Sequence, residues 1–292
     1  MHDKFGGGKF FCFHTLPYGK YFRMEIPMKK IAFFDVDGTL TSEIDGSIPQ
    51  SAIDAIREAR AAGNLMFINT GRCFQHVEPR FREIGFDGYV CGCGTNIYCD
   101  GKELLHIGQT HETMMEILYQ ARKTGIDIVF ESRKEIAFDR PQQLKHPEAI
   151  NLYQDFTARG YVMPTDLEAP DFLSDKFAIW FENRPQLEDF LSVSNRYFEC
   201  IERGGNFCEF VPHGYSKATG IQYVLDYYHL DKTDAYAFGD SSNDLAMLTY
   251  VPNSIAMGNS YPESLLTLVS YVTKNASADG IALALRHFGF IA

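Results

Sequence analysis

Three short stretches of the 292-residue chain concentrate groups able to do chemistry: Asp35-Val36-Asp37-Gly38-Thr39, Thr70-Gly71-Arg72 and Gly239-Asp240-Ser241-Ser242-Asn243-Asp244. Brought together, they would gather the carboxylates of Asp35, Asp37, Asp240 and Asp244 in one small region. Like charges that close repel and raise one another's pKa values, so they coexist most easily around a cation. Donors that are all oxygens point to a hard ion, and Mg2+ is typically held by one or two carboxylates, waters and a substrate phosphate. An isolated Asp-x-Asp is weak evidence, because Asp and Gly are common in solvated turns. Here the pair gains weight from the Gly-Thr after it, the apolar run before it and the two further clusters downstream.

Each cluster has to be positioned by the element that precedes it. Ile31-Ala32-Phe33-Phe34, Leu65-Met66-Phe67-Ile68 and Ala235-Tyr236-Ala237-Phe238 are continuous apolar runs, the pattern of strands buried on both faces of a parallel sheet. Between the first two, Ala52, Ile53, Ile56 and Ala59 recur at helical spacing before Gly63-Asn64, which completes a βαβ unit. Further strands are expected at 88–91, 254–257 and 269–273. In an open parallel sheet such strands end on one rim, where ligands sit as the strand order reverses, so the three clusters should converge. Between about Leu105 and Asn206 the pattern changes. Residues 126–130 and 176–181 alternate like a sheet with one exposed face, with helices expected near 111–124 and 184–198. The expected architecture is therefore α/β: a doubly wound parallel-sheet, Rossmann-like core (28–104 and 206–292) with an inserted α+β cap domain (105–205). Residues 1–27 lack the apolar region and cleavage pattern of a signal peptide; they are expected to be an appended extension, either poorly ordered or the product of an upstream start codon.

In these motifs the sequence resembles the haloacid dehalogenase (HAD) superfamily, and within it the Cof-type, class IIB branch. Asp35-Val36-Asp37-Gly38-Thr39 resembles the first motif, Thr70 in Asn-Thr-Gly-Arg the second, Lys217 in Gly-Tyr-Ser-Lys the third, and Gly239 to Asp244 the fourth. The likeness runs from about Lys29 to the C-terminus, and the insertion between the second and third motifs matches a class II cap. Ala218 departs from the Gly that many relatives carry after the motif lysine. The resemblance implies a Mg2+-dependent phosphatase. Asp35 would be the nucleophile, forming an aspartyl-phosphate, and Asp37 would protonate the leaving alkoxide and later deprotonate the attacking water. Mg2+ would be held by Asp35, Asp240 and the backbone carbonyl of Asp37, with Asp244 holding a metal-bound water or orienting Lys217. Thr39, Thr70, Gly71 and Lys217 would bind the phosphoryl oxygens, Gly38 would let backbone N–H groups approach them, and Arg72 and Asn243 would touch substrate or brace their loops. Each has a plainer alternative: lysines are mostly solvated, and Thr39 and Thr70 could simply cap helices.

Composition narrows the partners. A net charge of −11 gives no long-range attraction to nucleic acid or to anionic membrane surfaces, and no apolar run approaches the roughly 18 residues of a spanning helix. Seven cysteines without disulfide-framework spacing suit a reducing cytoplasm. Cys91 and Cys93 read as small residues at a strand end, and the nine histidines show no ligand spacing, so surface or satisfied-core roles suffice for them. A cap over the rim can close on a small soluble substrate and exclude large ones. The expected partner is a phosphorylated metabolite, such as a sugar phosphate, a nucleotide or a phosphorylated cofactor, bound by a monomer or weak homodimer. Two other readings use the same motifs: a phosphosugar mutase, which returns the phosphoryl group to a second hydroxyl, and a non-catalytic phospho-ligand sensor, whose usual sign, loss of Asp35 or Asp37, is not met here.

Overall fold

A computed structural model describes residues 11–15, 21–25, 29–161, 163–164 and 166–292. In chain order, β1 (Phe11–Thr15) and β2 (Tyr21–Glu25) form an antiparallel sheet of their own; the rest of the expected extension lies outside the described residues. The core then begins with β3 (Ile31–Phe34), α1 (Gln50–Ala61), β4 (Leu65–Asn69), α2 (Pro79–Arg82), β5 (Gly88–Cys91), β6 (Asn96–Cys99) and β7 (Lys102–His106). The inserted part comprises α3 (His111–Thr124), β8 (Asp127–Glu131), β9 (Ile136–Phe138), α4 (Pro147–Ala158), β10 (Lys176–Trp180), α5 (Arg184–Ser194), β11 (Phe198–Gly204) and β12 (Phe207–Pro212). The chain returns through α6 (Lys217–Tyr228), β13 (Ala235–Ser241), α7 (Leu245–Tyr250), β14 (Asn253–Tyr261), β15 (Tyr271–Val272) and α8 (Gly280–His287).

The core sheet has the order β15-β14-β13-β3-β4-β5-β6-β7. It is parallel from β15 to β5, and β6 and β7 add an antiparallel edge. Alternate strand residues serve opposite faces. Ala32, Phe34, Met66 and Ile68 pack against α1 and α8, whereas Ile31, Phe33, Leu65 and Phe67 pack against α6 and α7. Burying each Phe of this double-faced core contributes about 1.5–3 kcal/mol. From β3 the chain moves to β4 on one side and only much later returns to β13 on the other. The rim beside β3 is therefore the point where strand order reverses, the position at which such sheets bind ligands.

The inserted sheet has the order β11-β12-β10-β8-β9 and is antiparallel throughout. The alternation in residues 126–130 and 176–181 suggested one exposed face, and the structure corrects this: every residue of β10 is buried. One face carries α3 and α5, and the other is covered by Leu152, Tyr153 and Phe156 of α4 together with core residue Cys73. Helix α4, which the sequence pattern did not announce, starts where the His146 side chain accepts from the Glu148 amide and Pro147 occupies the first turn, a position that needs no N–H. The second expected helix stops at Ser194 because Phe198 enters β11. Both segment boundaries also shift. Strand β7 keeps residues to His106 in the core sheet, and β12 pairs with β11 as Phe198 opposite Pro212, so the inserted sheet runs to Pro212 rather than ending at 205. Strand pairing, which local hydrophobic pattern does not encode, decides membership.

Candidate active site

Asp35 sits immediately after β3, its amide donating to the Phe238 carbonyl on β13 at 3.0 Å. The chain then makes a tight, kinked turn through Val36–Leu40, with Gly38 at φ +80°. A Cβ on Gly38 would lie 2.3 Å from Asp240 Oδ2, so only glycine permits both the left-handed backbone and the close approach of the β13 loop. Thr39 caps no helix; its Oγ1 donates to Asp240 Oδ1 at 3.0 Å. Asp244 is fully buried, and its Oδ2 accepts the amides of Asp240 at 2.9 Å and Ser241 at 3.0 Å, which fixes the fourth-motif loop. Lys217 is the first residue of α6, set by a capping box between Ser216 and Thr219. Asn69, at the end of β4, donates to the Lys217 carbonyl at 3.0 Å. The Lys217 ammonium is buried and donates to Asp35 Oδ1 and Asp244 Oδ1, both at 2.6 Å.

Asp35, Asp240 and Asp244 each present a carboxylate oxygen, and these atoms all lie within 4.8 Å of one another. One ammonium does not offset three carboxylates. Burial, then repulsion from Asp244, holds Asp35 well above the ordinary carboxylate range despite Lys217. Asp240 is pushed up to about 7, by burial first and Asp244 second. Burial alone would lower Lys217, but Asp244 and Asp35 outweigh it and hold the ammonium above its usual range. An all-oxygen donor set carrying surplus negative charge fits a hard divalent cation.

The Asp37 carboxylate is not part of that cluster, so its expected place among the metal ligands is confined to its backbone carbonyl. Its side chain is 63% exposed and is gripped by Arg72, Nε to Oδ2 at 2.9 Å and Nη2 to Oδ1 at 2.6 Å. Desolvation would raise Asp37, but the Arg72 bonds win and lower it. Arg72 is itself braced by Glu78 Oε1 at 3.1 Å and the His76 carbonyl at 3.2 Å. Thr70 is buried, and its Oγ1 accepts from the Arg72 amide at 3.1 Å. Asn243 Oδ1 accepts from Ser241 Oγ at 2.8 Å. Gly71 and Asn243 face the cavity together with Asp35, Asp37, Thr70 and Arg72. The structure thus assembles all the candidate residues at one rim, in two groups: a buried acidic centre with Lys217, and an Arg72–Asp37 clamp at its mouth.

The cavity above them, about 330 Å³, is roofed by the inserted sheet, a size usual for small-molecule sites. Its roof contains groups that sequence reasoning missed. Lys176 is buried with its Nζ 3.5 Å from Glu131 and 3.7 Å from Glu209, and Arg203 pairs with Glu209 at 3.1 Å. The available signal was a cross-strand pair of opposite charges, Lys176 opposite Glu131 in the β10–β8 ladder, which is readable only once the register is known. Burial and the neighbouring arginines and Lys176 drive His76 down to about 3. Contrary to a satisfied-core role, its buried Nε2 has no hydrogen-bond partner among the described residues.

Fold and site together define a hydrolase that acts on phosphate esters. The chain belongs to the haloacid dehalogenase-like hydrolase family, whose model it matches over residues 32–285. It is 28% identical over 273 residues to "Putative phosphatase YkrA" of Bacillus subtilis (strain 168), covering 90% of this chain and 98% of that protein. An HMP-PP phosphatase of Serratia proteamaculans (strain 568) is 22% identical over 276 residues, covering 89% and 96%. The fold is that of the HAD subclass IIB sugar phosphatase BT4131, with a TM-score of 0.77, 24% identity, and coverage of 90% of this chain and 100% of that one. Among the described residues no helix is long and apolar enough to cross a membrane.

Proposed function

We propose that this protein hydrolyses small phosphate monoesters with Mg2+ through an aspartyl-phosphate on Asp35. The observation that carries the reading is the convergence of Asp35, Asp240, Asp244 and Lys217 from three separate chain segments on the rim where strand order reverses. Mg2+, held by Asp35, Asp240 and the Asp37 carbonyl with Asp244 behind, would neutralise the repulsion between the nucleophile and an anionic phosphoryl group. Lys217 fixes the Asp35 carboxylate by a 2.6 Å bond and orients it. The carboxylate oxygen attacks phosphorus, the O–P bond forms as the ester P–O bond breaks, and Asp37 gives its proton to the departing alkoxide. Thr39, Thr70, Gly71 and Lys217 would bind the equatorial oxygens, where charge spreads in the transition state.

In the substrate-free site Arg72 holds Asp37 ionised. That is the state needed in the second half-reaction, when Asp37 takes a proton from water as it attacks the acyl-phosphate. A phosphoryl dianion arriving beside Asp37 raises its proton affinity by like-charge repulsion and so supplies the acid form for the first half.

The cap supports a leaving group that is hydroxylated rather than charged. Each cation of the cavity wall already has an acidic neighbour: Lys176 with Glu131 and Glu209, Arg203 with Glu209, and Arg159 with Asp155. Phe156, Tyr161 and Phe207 add an apolar wall. The sugar phosphatase named among the similar proteins fits a leaving group of this kind. The test is a screen of phosphorylated metabolites with Mg2+, scoring free phosphate, with acid-quenched protein examined by mass spectrometry for phosphate on Asp35. Release of phosphate with a labelled Asp35 is expected. Isomerised substrate without phosphate release would indicate a mutase, and turnover retained in Asp35→Asn would remove the nucleophile assignment.

A further inference from the structure

A second set of ligand-type side chains lies beside the cavity, and the proposed reaction does not use it. Cys73, His76 and Glu131 each offer one ligand atom, and these atoms lie within 4.8 Å of one another. Cys73 and His76 come from the turn after β4, where the His76 amide donates to the Cys73 carbonyl at 2.9 Å and a 3-10 turn over Phe74–His76 sets their spacing. Glu131 ends β8 and so belongs to the cap. His76 is only 7% exposed, its ring packs against Phe156 and Tyr161 at centroid distances of 4.6 and 4.9 Å, and its Nε2 lacks a hydrogen-bond partner among the described residues. Such an orphaned polar atom ordinarily costs about 1–3 kcal/mol.

We propose that Cys73, His76 and Glu131 bind one Zn2+ ion that fastens the cap to the core. A sulfur, a nitrogen and an oxygen donor suit zinc and are a poor set for Mg2+; the two clusters of the cavity therefore sort cations by hardness. Three protein ligands leave the fourth tetrahedral position to water, which is the open type of zinc site. Donors at roughly 2.0–2.3 Å from a tetrahedral ion stand about 3.3–3.8 Å apart, so side-chain shifts of about an ångström close the ring. Burial pushes the Cys73 thiol up; on binding, its proton passes to solvent and the thiolate becomes the ligand. Glu131 meets Lys176 only at 3.5 Å, and Lys176 keeps Glu209 as a second partner. With two ligands on the core and one on the cap, the ion resists their separation, so it slows entry of substrate and exit of product. That last consequence rests on the phosphatase reading; the site itself does not.

The test is titration of the full chain with Co2+, a spectroscopic stand-in for Zn2+, in an Asp240→Asn background that disables the acidic centre. One equivalent of Co2+ is expected to give a thiolate-to-metal charge-transfer absorption that one equivalent of Zn2+ removes. Cys73→Ser is expected to abolish the absorption, and His76→Ala to weaken Co2+ binding by more than about tenfold, with circular dichroism confirming that both variants fold. Should either variant fail to fold, Glu131→Gln takes its place, with the same tenfold weakening expected. Absence of the absorption in the parent, its persistence in Cys73→Ser, or unchanged affinity in Glu131→Gln would overturn the site. Because the readout is absorption and affinity, failure of the phosphatase reading would leave this result standing.

Discussion

The two walls of the cavity handle charge in opposite ways. On the core side, backbone amides, a capping box and a glycine without room for a Cβ force Asp35, Asp240 and Asp244 together around a single ammonium. On the cap side, the cations are matched by acids across strands, Lys176 by Glu131 and Glu209 and Arg203 by Glu209. The core wall thus stores unrelieved repulsion, which binding of a cation and substrate can discharge, while the cap wall is electrostatically settled and can only select. On the proposed reading, chemistry falls to the first and discrimination to the second.

Substitutions should break this contrast in order of size. Asp35→Asn is expected to lower kcat by about 10⁶-fold, the scale of losing a covalent nucleophile, with the fold unchanged by circular dichroism; steady-state phosphate release measures it. Asp37→Asn should lower kcat by about 10²–10⁴-fold, as for loss of a general acid–base, and should flatten the pH–rate profile. Lys176→Met leaves Glu131 buried without its cation, while Glu209 keeps Arg203, and is expected to destabilise the protein by about 3–5 kcal/mol, read from the urea midpoint. If Lys176→Met instead changed kcat on a small activated ester as much as Asp37→Asn does, the division of labour between the walls would fail.

The smallest effect concerns pH and metal. Asp240 titrates at about 7 in the folded protein, against an ordinary value of 3.8, so between these values the folded state binds more protons than the unfolded one. This group therefore favours folding fully below about pH 4, and the contribution is lost as pH rises through 7. A bound Mg2+ relieves the repulsion in the upper range, so the Mg2+-induced rise in Tm should be larger at pH 8 than at pH 5, by a few degrees for each kcal/mol. A shift equal at the two pH values would argue that Asp240 does not meet the ion.

Much of the core was legible because its signals are local. Four-residue apolar runs at 31–34, 65–68 and 235–238, each ending in a polar turn, read as strands of a doubly covered sheet, and the polar clusters after them then share its rim. Helix α3 appeared with both expected ends, His111 and Thr124, because a threonine before it caps its start and Gly125 stops it in the left-handed conformation. The cap was less legible. Its strands alternate as though one face met water, yet α4 and the core loop bury that face, and whether a Lys or Glu in a strand faces solvent or a partner depends on register.

The parallel strands of the core, the order of the motifs and the identity of the acidic groups were readable from the chain alone, since each is written within a few consecutive residues, whereas the antiparallel edge of β6 and β7 was not. Only the tertiary structure decided that Arg72 would clamp Asp37, that Lys217 would bridge Asp35 to Asp244, and that Cys73 and His76 would meet Glu131. Those meetings bring together residues tens to hundreds of positions apart, and local propensity carries no record of which distant side chain packing will deliver.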